Sequence, residues 1–455
     1  MTILLGLAVL TVLLLIGTAA GKAVGMTRWG VPEALLAGAL GLLIAPTGPL
    51  PLLPQGVIDF WSELPLVLLT LVFGSLLLGK PLPQIGTLWR PVASQLLLAL
   101  TLAFGQFMVG GLAVLLVLGP LVGAPPVMAA LIEVAYEGGH GSAAAMGPTY
   151  ARLGLASGES LGLAMATVGL LTATLVGGLV VVLGRNQRWL LAANLPIAQH
   201  PDNAPETQAA DPAPPAEPLL TRLGRGLQVW LPNLALTGVA VLIGVLMLSG
   251  LQLLAERLGG GFALVIDGLP VFPLALLGSL LVRLALEKTG NAHWVAPAVQ
   301  GRVGTLAADL LITAATACLD LALLGEQWLP LTVLAVAGLL WNVGVVLLLA
   351  PRILPPNWFE RGLVEFGQAT GVAASGLLLL NMVDPGDQGD ALTPFSIKQL
   401  LLQPFIAGGI ITVIAPLAIS GWGLPTWTGF CLGLVVLWVS LGLWLGRSHP
   451  AAGQP

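Results

Sequence analysis

The chain has 455 residues, of which 56% are hydrophobic and only 8% charged, and its formal net charge is −4. A soluble domain carries about a quarter charged residues, so this composition identifies a polytopic, all-α membrane protein, and the lack of a basic surplus excludes nucleic acid as a partner. The two cysteines, Cys318 and Cys431, both lie in apolar stretches, which excludes a disulfide framework.

Crossing a bilayer as a helix takes roughly 20 apolar residues. In chain order the sequence offers spans at 3–20, 33–50, 64–79, 92–118 and 160–184, then 229–254, 264–286, 303–324, 329–350, 398–420 and 427–446, eleven in all. The first has no positively charged segment before it, and Lys22 and Arg28 follow, so it reads as a retained helix rather than a signal peptide. Two further stretches, 124–148 and 358–382, are apolar at their flanks but glycine-rich and polar in the middle. Both read as re-entrant hairpins, which are tolerated only where protein or a water-filled cavity satisfies the bared backbone. Between the halves, 185–228 reads as a cytoplasmic linker. Its segment 194–218 has seven prolines, four acids and no Lys or Arg, the composition of a disordered, partly extended chain.

The sequence thus divides into 1–184, the linker 185–228, 229–420, and a C-terminal addition 421–455. With the N-terminus outside, each span crossing once and each hairpin returning to its own side, fifteen of the 17 Lys and Arg fall on the cytoplasmic side with the C-terminus. Only Arg152 and Arg257 fall outside, as the positive-inside rule requires.

The halves repeat. L-I-E-V-A-Y-E-G-G-H-G-S-A-A (131–144) aligns with L-V-E-F-G-Q-A-T-G-V-A-A-S-G (363–376), pairing Glu133 with Glu365 and Gly139 with Gly371. P-E-A-L-L-A-G (32–38) resembles P-L-A-L-L-G-S (273–279), and Gln106 before the first hairpin is matched by Asn342 before the second. Five helices and a hairpin in each half leave the second half inverted. Inverted repeats with broken segments meeting near the midplane are a secondary-transporter design.

Candidate binding residues cluster in the hairpins. Gly138, Gly139 and Gly141 allow a turn and close backbone approach, and His140 and Ser142 add side-chain donors. In the second hairpin, Gln368, Thr370 and Ser375 stand among Gly367, Gly371 and Gly376, offering amides and hydroxyls suited to sodium and amino-acid-like solutes. Asp309, Thr313, Thr316 and Asp320 share one helical face, which either lines a pathway or packs against the hairpins. Glu137 and His140 have a di-metal carboxylate-histidine spacing, but no second copy exists, so neither a resident metal nor a cofactor is expected. Nothing resembles a nucleophile with its base, so an enzyme is not expected either. A channel would use similar hairpins but needs a continuous pore.

G-G-H-G-S-A (138–143), G-Q-A-T-G-V-A-A-S-G-L (367–377) and L-P-V-F-P-L-A-L-L-G (269–278) are similar to signatures of the sodium/glutamate symporter family, and the similarity runs through roughly 1–420. The resemblance implies sodium-driven uptake of L-glutamate, or of a similar small anion or amino acid, across the plasma (inner) membrane. It also implies a homodimer in which a mobile transport domain slides against a fixed scaffold. Carried over, Gly138, Gly139, His140, Gly141 and Ser142 match the first hairpin motif, and Gly367, Thr370, Gly371 and Ser375 the second. Gln368, Asn342, Gln106 and Asp309 complete the candidate set for substrate and sodium.

Overall fold

The structure is a computed structural model that describes residues 2–26, 32–79, 89–190, 219–260, 263, 266, 269–384 and 389–447. Residues 194–218, read as a disordered linker, lie outside these. The described residues are helical, without a strand among them. Seven helices are long and apolar enough to cross a membrane: Thr2–Val24, Gln55–Leu76, Val92–Val122, Gly158–Asn186, Gln228–Leu258, Trp328–Ile353 and Leu424–Gly446. The other expected spans carry shorter or less apolar helices.

The first half contributes α1 (Thr2–Val24), α2 (Glu33–Ile44), α3 (Gln55–Leu76) and α4 (Trp89–Ala113), then α5 (Leu131–Tyr136), α6 (Gly139–Ala145), α7 (Gly147–Arg152) and α8 (Gly158–Asn186). Prolines 32 and 54 precede α2 and α3 in extended conformation, and Gly123 ends the α4 run with φ +64°, the left-handed stop that only glycine adopts without strain. The second half contributes α9 (Leu219–Leu258), α10 (Phe272–Lys288), α11 (Pro297–Ala317), α12 (Leu321–Glu326), α13 (Trp328–Gly344), α14 (Trp358–Thr370), α15 (Ala373–Val383), α16 (Leu392–Leu402), α17 (Ile410–Trp422) and α18 (Leu424–Gly446).

Three boundaries differ from expectation. Helix α9 starts at Leu219, inside the range read as linker. The span expected at 398–420 is two helices, because Q-P-F-I-A-G-G (403–409) interrupts it, with Ala407 at φ +58° and Gly408 at φ +91°. Pro404 and the glycine pair break the ladder, and the apolar run around them masked that signal. Finally, α11 ends at Ala317, so Asp320 leaves the polar face. Its carboxylate instead accepts from Leu323 N at 3.0 Å and caps α12.

Helices α4 and α13 share a device. Each passes into a π-helical turn, Val114–Leu118 and Val345–Leu349, and each turn leads to a proline two residues on, Pro120 and Pro351. A proline without an N–H widens the ladder behind it, and the same defect recurs at the same place in both halves. The matching starts, 114 and 345, stand 231 apart, and Glu133 and Glu365 stand 232 apart. On that offset Gln106 aligns with the region of Gly338, not with Asn342. The two amides are neighbours in space rather than equivalents: Gln106 Nε2 donates to Asn342 Oδ1 at 3.1 Å.

The packing sorts helices into two groups. α1, α2, α3, α9, α10 and α11 pack mainly on one another, with α11 against α2 and α3, and α10 against α9 and α3. The other group holds α4, α8, α13, the segments 126–152 and 358–383, α16 and α17, and α18 packs on it along α4. Segment 126–152 bridges the groups through α6, which touches α3 and α11. Contact there falls on Gly141, where a Cβ would lie 2.8 Å from Leu69 Cδ1 and 3.6 Å from Leu311 Cδ1.

Both glycine-rich segments double back along the single long helix α8. In the first, Leu131 and Ala143 both lie against Gly162, and Tyr136 lies against Gly169, so α5 runs up and α6 runs down. In the second, Phe359 lies against Gly184, Thr370 against Gly169 and Leu379 against Gly177. The two turns therefore arrive from opposite ends of α8 and meet near residues 167–169. The arms of the second cross at glycines, with a Cβ on Gly367 placed 2.5 Å from Gly376 Cα. Gly376→Val would force the arms apart, an overpacking that costs about 1–3 kcal/mol. Thermal unfolding of purified protein should show it, whereas Gly178→Val, where nothing lies within 4 Å, should leave the midpoint near wild type.

Candidate functional site

A cavity of about 220 Å³ lies where the two turns meet. It is lined by Glu137 to Ser142 from the first turn, by Gln368, Val372 and Ala373 from the second, and by Gln399, Gln403 and Ala407 near the break between α16 and α17. Leu69, Phe73, Leu311 and their neighbours close it from the other helix group. The first turn is possible because Gly139 takes φ +69°, and a Cβ there would lie 3.4 Å from Val372 Cγ1. The tips thus stand in van der Waals reach of one another.

The polar atoms fall into two kinds. Some are engaged in holding the tips. His140 Nε2 lies 3.0 Å from Thr167 Oγ1, and that hydroxyl donates to Leu163 O, so the imidazole is the donor and its ring is fixed against α8. Tyr136 OH donates to Ala335 O at 2.9 Å, tying the first tip to α13. Behind the second tip, Gln106 Nε2 and Asn342 Nδ2 both donate to Ala369 O, at 2.6 and 2.9 Å, and Asn342 Nδ2 also donates to Thr370 Oγ1 at 3.0 Å. These amides satisfy the end of α14, whose last carbonyls have no intrahelical donors. Other polar atoms are buried with no protein partner: Glu137 Oε2, Ser142 Oγ and Gln368 Oε1, all on residues that line the cavity. Such groups are the exception in folded proteins, and of the twelve among the described residues these three stand on residues that line this cavity.

Of the candidates from sequence, Gly138, Gly139, His140, Gly141, Ser142 and Gln368 line the cavity. Gln106, Asn342 and Thr370 stand behind the second tip as its support, and Gly371 caps α14. Ser375 is fully buried beside Gly371. Asp309 is elsewhere, in a wider vestibule of about 670 Å³ with Lys22, Glu33, Ala374 and Asn381. Of its former face-mates, Thr313 donates to Asp309 O at 2.8 Å with Ala34 O 3.3 Å from the same hydroxyl, and Thr316 packs at Gly38, so these side chains meet α2 and not the hairpins.

Sequence reading missed a buried ionic group. Lys398 and Arg361, both assigned to the cytoplasmic side by the charge pattern, are each 1% exposed. Lys398 Nζ lies 2.9 Å from the Glu365 carboxylate. Gln95 Nε2 donates to the same carboxylate at 2.8 Å and its Oε1 accepts from Arg361 Nε at 2.7 Å. Spacing in sequence carries no sign of this, since Gln95 and Glu365 are 270 residues apart. The cavity wall at Gln403 and Ala407 was missed for the reason given above, although Pro404 and Gly408–Gly409 signalled a break.

The sequence model of the sodium/glutamate symporter family matches residues 1–352, from α1 through α13 and its π turn, with the first hairpin inside the match. No curated protein matches the chain.

Lys398→Met would strand the Glu365 carboxylate without its cation, and removing one partner of a buried pair destabilises by about 3–5 kcal/mol. The double variant Lys398→Met/Glu365→Gln removes the stranded charge while keeping an acceptor for Gln95. Its thermal midpoint should return most of the way to wild type, and a double variant no more stable than Lys398→Met would refute the pairing.

Proposed function

The chain belongs to the sodium/glutamate symporter family, and on that premise we propose that it takes up L-glutamate, or a similar small anion or amino acid, together with sodium by alternating access. One observation carries this reading: a cavity between two facing tips, where Glu137, Ser142 and Gln368 present polar atoms that the protein leaves unpartnered. At about 220 Å³ it is smaller than the roughly 300–1,000 Å³ clefts that hold drug-sized ligands, which suits a solute the size of a single amino acid.

The lining chemistry gives each end of such a solute a place. The Glu137 carboxylate and Gln368 Oε1 accept from an ammonium group. The first N–H groups of α15, at Val372 and Ala373, have no intrahelical acceptor and favour a carboxylate. No Lys or Arg lines the cavity among the described residues, so backbone donors and the co-transported sodium carry the anionic end.

We place the N-terminus outside and the C-terminus inside the plasma (inner) membrane. Eleven crossings and two re-entrant hairpins then come from opposite sides, and the charge bias along the sequence and the opposed directions of the hairpins along α8 support this. In that orientation the vestibule at Lys22 and Asp309 faces the cytoplasm. α1–α3 and α9–α11 act as the fixed scaffold of a homodimer, and the hairpin-bearing group moves against them across the smooth contact at Gly141.

Labelled glutamate should accumulate in proteoliposomes only under an inward sodium gradient. Gly139→Val should abolish that uptake with membrane insertion intact, since the side chain is strained at φ +69° and meets Val372. His140→Ala removes one hydrogen bond to α8 and should weaken apparent affinity a few-fold, about 1 kcal/mol. Sodium-driven uptake of another solute in place of glutamate would keep the mechanism and overturn the substrate; wild-type kinetics in both variants would overturn the site.

A further inference from the structure

The first hairpin carries a carboxylate that the substrate site does not use. Glu133, on α5, is fully buried. Its Oε1 accepts from Thr412 Oγ1 at 2.8 Å and from Ala407 N at 3.2 Å, both beside the break between α16 and α17. Its Oε2 is buried and has no partner in the protein.

Across the hairpin stands Ser142, on α6. It is 1% exposed, lines the central cavity, and its Oγ is likewise without a partner. Both residues pack on the same few residues of the break. A Cβ on Gly408 would lie 2.5 Å from Ser142 Oγ, and Gly408 N donates at 3.0 Å to Thr412 Oγ1, the hydroxyl bonded to Glu133. Thr412 gives its one proton to Glu133 and has nothing further to donate, so the second carboxylate oxygen stays uncompensated.

The second half of the chain indicates what that oxygen binds. Glu365 occupies the equivalent position, 232 residues on, and there the chain itself supplies the cation, with Lys398 Nζ 2.9 Å from the carboxylate. The same offset carries Lys398 back onto Ala166, a buried residue of α8 with no charge to offer. One half therefore neutralises its hairpin glutamate with an ammonium group, and the other holds an equivalent glutamate beside an unpartnered hydroxyl. An isolated carboxylate inside an apolar bundle is costly until it is paired.

We infer that Glu133 Oε2 and Ser142 Oγ are ligands of the coupling sodium ion, bound at the flank of the first hairpin against the α16–α17 break. This rests on the reading of the chain as a sodium-coupled symporter and adds the position of the ion. A carboxylate and a hydroxyl are hard oxygen donors, the ligand type that a small hard cation takes. Ser142 and Ala407 also line the substrate cavity, so an ion held here touches the wall of the substrate site and ties the first hairpin to the break.

Sodium binding to the purified full-length protein, without substrate, tests the assignment. Radiolabelled sodium and the sodium-dependent rise in thermal midpoint would both be followed in choline-balanced buffer at fixed pH. Wild type should bind saturably. Glu133→Gln should raise the half-saturating sodium concentration by about tenfold or more, and Ser142→Ala and Thr412→Val by roughly a few-fold each. If Glu133→Gln does not fold, the two milder variants decide. No sodium response in wild type would overturn the sodium-coupled reading itself. A normal wild-type response with unshifted half-saturation in the variants would overturn only the placement of the ion. A stabilisation that follows protons and ignores sodium would give the carboxylate to a proton and overturn the proposal.

Discussion

A helix that stops inside an apolar protein leaves carbonyl and N–H groups that neither lipid nor hydrocarbon side chains can satisfy. This protein has two such stops facing one another, and much of its architecture serves to manage them. At the first tip, Glu133 O accepts from both Glu137 N and Gly138 N, so the end of α5 is closed within the turn itself. At the second, the carbonyl of Ala369 is taken by two side-chain amides from two different helices, Gln106 of α4 and Asn342 of α13. Those helices cross where Gly105 lies under the Trp341 ring, and Trp341 Nε1 in turn donates to Leu102 O at 3.2 Å. The polar side chains that close these two stops are structural, whereas Glu137, Ser142 and Gln368 carry atoms without a protein partner and line the cavity.

The two hairpins answer the same problem with different chemistry. The second is heavily charged: Glu365, Lys398, Gln95 and Arg361 form one buried chain of hydrogen bonds and ion pairs at its flank. At the first, the Glu133 carboxylate accepts from a hydroxyl and a backbone amide of the α16–α17 break.

Small residues decide where the helix groups touch. Between the groups, Gly141 lies against leucine methyls and Gly408 beside the Phe73 ring. Within the hairpin group, contacts are close and specific: Gly169 against Tyr136 and Thr370, Gly184 against Phe359 and Gly442 against Ile353. The last of these attaches α18 to the end of the α13 run, so the C-terminal helix is a part of the hairpin group.

The sequence by itself determined the class, the positions of seven of the eleven expected spans and the two glycine-rich turns, because length, hydropathy and helix breakers are local quantities. It also held the cavity-lining motif from Gly138 to Ser142, since a histidine and a serine among glycines in an apolar chain stand out without any neighbour. What only the tertiary structure decided was which polar residues face the cavity and which support its walls. Gln106, Asn342 and Thr370 look alike in sequence to Gln368, yet the first three are joined in hydrogen bonds behind the second tip, while Gln368 lines the cavity. Lys398 reads only as one of the cytoplasmic-side charges until Glu365 is brought beside it, and Asp320 reads as part of a polar stripe until α11 stops at Ala317 and it becomes a cap. A side chain's role in an apolar interior depends on the partner it is packed against, and that partner comes from a distant part of the chain.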